Sequence, residues 1–344
     1  MSHDLVVSPS HGNFMENISP LKPLRESQGF SVALIDVEDL YDEFSYGAKT
    51  PQALKDFLAR TRAFWQTPPR FVLLVGNASS DPRNYLGFGD SDFVPTKLVD
   101  TAYLETASDD WFVDFDNDGL PDLAIGRLPV QTAEEATTVV SRIITYEQAE
   151  AGDWATEVLM VASQNGEFDF EKSSREVGDL LPEEMTVWSV YRGQTDDETA
   201  RTAILGSINE GKLIINYIGH GSVQIWQGNL LTLEDSQNLI NGPRSPFFVN
   251  MTCLNGFFQA PYADSLAEAL LKARQGGAIA VWASSGLTDP EWQVPMNKEL
   301  IRLLFNGESL TLGEATAQAK VATTDPDVRR SWILFGDPTT RLKP

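Results

Sequence analysis

The sequence predicts an α/β fold in which helices cover a mainly parallel β-sheet. Short apolar runs alternate with amphipathic helical stretches along most of the chain, which is the pattern of that fold class. At 344 residues the chain exceeds the usual length of one domain, so two domains or two packed halves are expected. No segment approaches the roughly 18 consecutive apolar residues that a membrane span needs, so no span is predicted.

The first half contains one βαβ unit. Apolar runs at residues 31–37 and 71–76 read as buried strands. Between them, residues 51–65 predict a helix, because Leu54, Phe57 and their apolar neighbours share one face and a proline occupies the first turn.

A long polar loop follows, from residue 77 to residue 118. Helical periodicity then returns at residues 132–150 and ends at an Ala-Gly-Asp junction. We therefore divide the chain into an N-terminal α/β subdomain with an acidic loop, residues 1–152, and a second subdomain, residues 153–344. No repeat of fixed period is present, which gives solenoids and propellers no support.

The second subdomain alternates strands and helices in the same way. Its predicted helices are 197–209, 263–273 and 293–305. Its predicted strands are 157–163, 186–191, 212–219, 246–252, 278–284 and 332–336.

The charge and the scarce residue types narrow the chemistry. Lys and Arg number 26 against 49 Asp and Glu, and the net charge of -23 disfavours nucleic-acid binding. The same charge attracts basic peptides, although solubility alone is an equally ordinary reason for it. Cys253 is the only cysteine, so no internal disulfide is expected, and two of the three histidines, His3 and His11, lie at the N-terminus. Imidazole chemistry therefore falls to His220.

Two apolar strands end in these rare residues. The segment IINYIGHGS leads to His220, and FFVNMTCLNG leads to Cys253. Carboxyl ends of parallel strands share one sheet edge, so the imidazole and the thiol come within reach if the strands are neighbours. An imidazole is then the base for a thiol nucleophile, and the amides of Gly221 and Cys253 are candidates for an oxyanion hole. The competing interpretation is a buried structural cysteine and a capped polar histidine.

Several blocks of sequence carry a family resemblance. NYIGHGSVQIW, PFFVNMTCLNGFF, SLAEALLKARQGGAIAVWASS and WILFGDPTTRL resemble the catalytic domain of gingipain-like cysteine peptidases, relatives of caspases and legumains. The resemblance implies a caspase-like α/β/α sandwich preceded by a smaller related α/β subdomain, with His220 and Cys253 as the catalytic dyad. It also implies secretion or surface attachment and further domains of a larger precursor as partners. The start, MSHDLVVSPS, has no signal-peptide pattern. A domain taken from a longer precursor would lack that pattern in the same way.

The resemblance assigns three further roles in the site. By position in the family pattern, Asp109 or Asp110 is expected to orient His220. Asp118 corresponds to an acid in the pocket for the residue before the scissile bond, which implies a preference for Arg or Lys. Trp226 corresponds to an aromatic position that covers the stem of such a side chain.

The loop DWFVDFDNDGLPDLAIG offers a second interpretation for the same acids. Asp114, Asp116 and Asp118 alternate before a glycine and Asp122 follows, a pattern that wraps Ca²⁺. The twelfth position is Ile125 rather than a bidentate Glu, so an EF-hand is excluded. A solvated acidic turn and direct substrate binding remain as alternatives.

Four functional hypotheses follow. The first is an endopeptidase that acts through a thioester, cleaving a peptide or protein substrate. The second is a sortase-like transpeptidase with the same dyad. The third is a non-catalytic scaffold or binding module with a buried cysteine. A flavodoxin-like nucleotide binder ranks last, because VGNASSDP has neither a Walker lysine nor a G-x-G-x-x-G pattern.

Overall fold

A computed structural model describes residues 4–343 and has helices on both faces of one large sheet. The α-helices are α1 (Met15–Ile18), α2 (Leu21–Ser27), α3 (Val37–Ser45), α4 (Pro51–Phe64), α5 (Ala133–Gln148), α6 (Phe170–Gly178), α7 (Asp197–Glu210), α8 (Leu233–Gln237), α9 (Leu266–Lys272), α10 (Pro290–Leu304), α11 (Leu312–Ala319) and α12 (Pro326–Ser331). The strands are β1 (Asp4–Ser10), β2 (Phe30–Asp36), β3 (Pro69–Val75), β4 (Lys97–Asp100), β5 (Glu105–Ser108), β6 (Ala124–Leu128), β7 (Glu157–Ala162), β8 (Thr186–Tyr191), β9 (Ile214–Ile218), β10 (Gly221–Ser222), β11 (Ile225–Trp226), β12 (Phe247–Met251), β13 (Ala280–Ser284) and β14 (Trp332–Phe335).

The large sheet has ten strands in the order β2-β1-β3-β6-β14-β13-β12-β9-β7-β8. Neighbouring strands are parallel except β13 and β14, which are antiparallel. The strands on either side of that pair therefore run in opposite directions, and the carboxyl ends of β9 and β12 lie at the same sheet edge as the start of β6. This confirms the predicted α/β class with a mainly parallel sheet.

The two halves of the chain share this sheet. Strand β14, from the C-terminal end, pairs with β6 of the first half, and the main core cluster contains side chains from both halves. A second cluster lies under α3 and α4. The proposed division after residue 152 stays a prediction, because the pairing joins the halves without marking a boundary.

Helix starts follow local chemistry. Ser265 begins α9 with a capping box, because its hydroxyl accepts the Glu268 N–H while the Glu268 carboxylate accepts the Ser265 N–H. Helix α10 begins at Pro290, three residues before the predicted start, since a proline has no N–H to satisfy in a first turn.

Several elements were not predicted. The predicted polar loop at 77–118 contains the β4/β5 hairpin, and β1 and β6 are additional buried strands. β6 is short and holds Gly126 and Arg127, so it has no continuous apolar run.

Within residues 4–343, no helix combines the length and the apolarity needed to cross a bilayer.

Candidate active site

Cys253 lies just beyond a fully buried central strand. All five residues of β12 are buried, and the chain turns sharply after it, with Leu254 in the left-handed region at φ 61°. The Leu254 N–H donates to the Gly286 carbonyl at 3.1 Å, which fixes this turn against the segment after β13. A non-glycine residue with positive φ costs about 1 kcal/mol or more, so the surrounding contacts hold the turn in place. Cys253 itself is half-buried.

His220 follows the neighbouring strand. β9 pairs with β12 in parallel register, and the Gly219 N–H extends the ladder by donating to the Met251 carbonyl at 3.1 Å. The exposed imidazole lies edge-on to Phe170, with ring centroids 5.0 Å apart. The expected adjacency of the two strand ends is therefore present in the structure.

Both reactive residues line one cleft, which has a volume of about 270 Å³. Its wall on the α10 side consists of residues 287–290 and Gln293, and Tyr103 from the β4/β5 turn, in the first half of the chain, also lines it. Asp289 is the one carboxylate among the lining residues. The cleft therefore presents a thiol, an imidazole and a single acid to a ligand.

The thiol of Cys253 is held by the main chain of Thr288. The Thr288 N–H donates to Sγ at 3.5 Å, and the thiol donates to the Thr288 carbonyl at 3.5 Å. Burial raises the pKa of Cys253, the nearby Asp289 raises that pKa further, and the Thr288 N–H opposes both. These surroundings favour the neutral thiol over the thiolate, and within the described residues no hydrogen bond joins Cys253 to His220.

Gly221 occupies a short hairpin formed by β10 and β11. The His220 carbonyl accepts the Gln227 N–H at 2.9 Å, so the next pair, Gly221 and Trp226, is a non-hydrogen-bonded pair. This leaves the Gly221 N–H free of the ladder, as an oxyanion donor requires. A Cβ at Gly221 would lie 2.7 Å from Thr252 Oγ1, so the hairpin packs directly against the residue before Cys253.

Asp109 and Asp110 do not orient the imidazole. Asp109 is buried and binds Arg127 through both oxygens, at 2.6 Å to Nε and 2.8 Å to Nη2, and it also accepts the Thr96 hydroxyl. The Asp110 carboxylate binds Lys320. These ion pairs fix the loop before β6 to the sheet and to the residue that follows α11, so the geometry corrects the expected role of either acid as a partner of His220.

Trp226 is a core residue and not a wall of the substrate pocket. Its side chain is fully buried, it stacks on Tyr217 at 4.2 Å between ring centroids, and its Nε1 donates to Asn255 Oδ1 at 3.0 Å. The aromatic position that the resemblance assigned to substrate therefore supports the hairpin from beneath.

The acidic loop divides into a cluster and a separate ion pair. Oxygens of Asp114, Asp116 and Asp118 lie within 4.8 Å of one another. Asp122 lies outside this group, because its carboxylate pairs with Arg62 at 3.1 Å and accepts the Phe115 N–H.

Asp118 does not line the cleft of Cys253. It lines a different cleft of about 460 Å³, together with Arg70 and Glu314. The geometry therefore does not support Asp118 as the acid of the specificity pocket.

Sequence reasoning missed the α10 side of the cleft. The Asp289-Pro290 pair is a recognisable helix start, and it follows a predicted strand that neighbours the strand of Cys253. That placement was enough to predict that these residues reach the same sheet edge.

Comparison with known proteins agrees with this architecture. A model of peptidase family C25 matches residues 2–343. Gingipain R2 from Porphyromonas gingivalis is 24% identical over 318 residues, which cover 86% of this chain and 40% of that protein. Lys-gingipain from the same organism is 22% identical over 256 residues, covering 70% of this chain and 14% of that protein. The chain thus spans less than half the length of these relatives.

The fold has a solved counterpart. The crystal structure of the Arg-specific cysteine proteinase gingipain R superposes with a TM-score of 0.83 at 22% identity, covering 100% of this chain and 79% of that one. The chain belongs to peptidase family C25, and its α/β sandwich is the caspase-like fold of that family's cysteine peptidases.

Proposed function

We propose that this chain is a cysteine endopeptidase domain that cleaves peptide bonds through a thioester on Cys253. The observation that carries this proposal is the cleft that Cys253 and His220 share at the ends of the adjacent strands β12 and β9. A thiol and an imidazole at one sheet edge supply the nucleophile and the general base that acyl transfer needs.

In acylation, the Sγ of Cys253 transfers its proton to a ring nitrogen of His220 and attacks the carbonyl carbon of the peptide bond. The new C–S bond places a negative charge on the carbonyl oxygen, which the Gly221 and Cys253 amides stabilise. The C–N bond then breaks, and the imidazolium gives its proton to the leaving amine. Because the thiol donates to the Thr288 carbonyl, Sγ gives up that hydrogen bond when its proton passes to His220.

In deacylation, His220 accepts a proton from water, which attacks the thioester carbon. The C–S bond breaks, the carboxylic acid leaves, and the proton returns to Cys253. An amine in place of water gives transpeptidation by the same route, so the choice between the two depends on the acceptor.

Labelling and hydrolysis test the proposal together. A peptidyl acyloxymethyl ketone is expected to alkylate Cys253 far faster than iodoacetamide does, adding the peptidyl ketone group to Sγ as its carboxylate leaves. Cys253→Ala is expected to abolish peptide hydrolysis with unchanged circular dichroism. Equal labelling rates for the two reagents, with no hydrolysis by the unmodified chain, would favour a binding module. Hydrolysis retained in Cys253→Ala would reject Cys253 as the nucleophile.

We propose further that a preference for Arg or Lys before the scissile bond depends on Asp289. The Asp289 carboxylate is exposed and, within the described residues, makes no side-chain hydrogen bond or ion pair. Asp289 is the one carboxylate that lines the cleft containing the Cys253 thiol. A charge-assisted hydrogen bond contributes about 1.5–3 kcal/mol, which corresponds to a discrimination of about 10- to 150-fold.

Peptides that differ in the residue before the cleaved bond test this preference. Cleavage after Arg and Lys is expected to exceed cleavage after Leu or Ala, Asp289→Asn is expected to remove the difference, and Asp118→Asn is the matched control that keeps it. Equal cleavage after Leu by the unmodified chain, or loss of the preference in Asp118→Asn alone, would overturn the role of Asp289.

We propose that Asp114, Asp116 and Asp118 hold one Ca²⁺. Their oxygens are close enough to share a cation, and hard carboxylate oxygens are its preferred ligands. The Asp114 carboxylate also accepts the Gly119 N–H at 3.0 Å, which keeps the loop closed around the cluster. When bound, Ca²⁺ stabilises the folded chain by mass action, about 2.7 kcal/mol at 100 times its Kd.

Thermal unfolding in calcium and in chelator tests this site. Calcium is expected to raise the Tm of the unmodified chain and of Asp122→Asn, and to have no effect on Asp116→Asn. No shift across millimolar calcium would reject the site.

We propose that the chain acts outside the cell as the catalytic part of a longer protein. The matched gingipains are more than twice as long as the part that this chain covers, which supports a longer protein, and the family resemblance is the reason to expect an extracellular setting. An antibody against the chain is expected to detect a larger polypeptide in the culture medium or on the cell surface, and detection only in the cytosol would contradict the proposal.

A further inference from the structure

Two segments carry the catalytic pair beyond the end of the sheet. We call residues 220–227 the histidine hairpin and residues 252–256 the cysteine turn. The β9/β12 ladder ends where the Gly219 N–H meets the Met251 carbonyl, so sheet hydrogen bonds stop before either segment. The separation of His220 and Cys253 therefore depends on contacts outside the ladder.

Asn255 makes those contacts. Its side chain is fully buried, and its Nδ2 donates to the Ser222 carbonyl at 2.6 Å and to the Ile225 carbonyl at 3.4 Å. Its Oδ1 accepts from Trp226 Nε1 at 3.0 Å and from Asn250 Nδ2 at 3.4 Å. Over residues 4–343, the direct hydrogen bonds between the histidine hairpin and the cysteine turn all involve this amide.

The hairpin side of this connection is held by a ring stack and a hydrogen bond. Trp226 stacks on Tyr217 with a 9° angle between the rings, and the Tyr217 hydroxyl donates to the His220 carbonyl at 2.6 Å. The contacts thus run from the cysteine turn through Asn255, Trp226 and Tyr217 to the backbone of His220. On the other side, the Asn255 carbonyl accepts the Ala267 N–H at 2.9 Å, which ties the turn to α9.

We propose that Asn255 is a positioning residue that sets the separation of His220 and Cys253 for acyl transfer. The inference rests on the peptidase activity proposed above. Reacting groups lose about 100-fold in rate when they are displaced by about 1 Å, so a change at Asn255 acts on the chemical step without touching substrate.

Asn255→Asp is the sharpest perturbation. The carboxylate has nearly the same shape and still accepts from Trp226, but it has no N–H for the two hairpin carbonyls and places negative charge against them. The histidine hairpin is expected to move away from the cysteine turn. Because Asn255 is not among the residues that line the cleft, kcat is expected to fall about 100-fold while KM changes less than threefold.

Asn241→Asp is the matched control. Asn241 is also fully buried, and its Nδ2 donates to the Arg244 and Gly277 carbonyls at 3.1 and 2.9 Å. The substitution removes the same kind of bonds at a place outside the cleft. Both variants are expected to lose stability, and the control is expected to keep its kcat within threefold per folded molecule.

Three measurements decide the matter: the kcat and KM of each variant, the pH profile of kcat/KM, and hydrogen exchange of the hairpin amides. We expect the Asn255→Asp variant alone to shift the limb of the pH profile that belongs to the Cys–His pair and to exchange the amides of residues 221–226 faster. If Asn255→Asp does not fold, Trp226→Phe removes one bond to Asn255 and is expected to lower kcat by a smaller factor at constant KM.

The outcomes separate two failures. Equal losses of kcat in the Asn255→Asp and Asn241→Asp variants, or unchanged kcat in a folded Asn255→Asp or Trp226→Phe variant, would overturn the positioning role. Absence of hydrolysis by the unmodified chain would instead reject the proposed peptidase, and the hydrogen-exchange measurement, which needs no substrate, still tests whether Asn255 holds the hairpin.

Discussion

The ion pair between Asp109 and Arg127 leads to a prediction that separates structure from catalysis. Asp109 is 1% exposed and Arg127 is 0% exposed, and two hydrogen bonds of 2.6 and 2.8 Å join them. Asp109→Asn leaves a buried guanidinium without its counter-charge, which costs about 3–5 kcal/mol in the free energy of unfolding. A residue that orients the imidazole would behave differently, because its loss lowers kcat by about four orders of magnitude.

The assay compares stability and turnover in the same preparation. Urea unfolding gives the loss of stability, and titration of Cys253 with a peptidyl electrophile counts the folded molecules, so that kcat is expressed per active site. We expect a large loss of stability with kcat within threefold of the unmodified chain. A double variant, Asp109→Leu with Arg127→Met, is expected to recover part of the stability, since it removes both charges. A stable Asp109→Asn variant with a kcat reduced at least 100-fold would refute this reasoning.

Three further predictions concern the cleft and the buried charges. The rate of Cys253 alkylation, measured by stopped flow, is expected to rise with pH with a midpoint above the ordinary thiol pKa of about 8.5. Asp289→Asn is expected to move that midpoint to lower pH, because the Asp289 carboxylate raises the pKa of Cys253. An unchanged midpoint in Asp289→Asn would contradict this prediction. Gly221→Ala is expected to lower kcat about 10- to 100-fold, since its Cβ meets Thr252, whereas Gly206→Ala, with nothing within 4 Å, is expected to have no effect; equal kcat in both would contradict the packing argument. Lys272→Met is expected to cost about 3–5 kcal/mol in chemical unfolding, because it leaves the buried Glu268 carboxylate at 3.4 Å and the partly buried Asp264 carboxylate at 2.9 Å without this cation. A loss below about 1 kcal/mol would contradict it.

The sequence was sufficient for the features that depend on local apolar pattern. The strands that deliver His220 and Cys253 were predicted within two residues of their observed ends, because buried parallel strands are continuous apolar runs bounded by glycine or polar loops. Two scarce residue types at two strand ends were enough to identify the pair. The pairing of β14 with β6 was not predictable in this way, since a strand's partner is set by long-range contacts.

The remaining site residues depend on side-chain partners that are distant in sequence. Asp109 precedes its partner Arg127 by 18 residues, and only the folded sheet shows that the two bind each other. Trp226 has the same aromatic character in a pocket wall or in a core, and its burial decides between them. Asn255 and the residues it contacts in the histidine hairpin are about 30 positions apart in the sequence, so no local motif predicts these contacts.

A double-mutant cycle on the pair itself tests the central claim most directly. Hydrolysis of a fluorogenic peptide is measured for Cys253→Ala, His220→Ala and the double variant, each checked for folding by circular dichroism. Residues of one catalytic unit are strongly non-additive, so the double variant is expected to lose scarcely more activity than either single variant. Losses that add, or hydrolysis that persists in Cys253→Ala, would show that the two residues do not act together on a peptide bond.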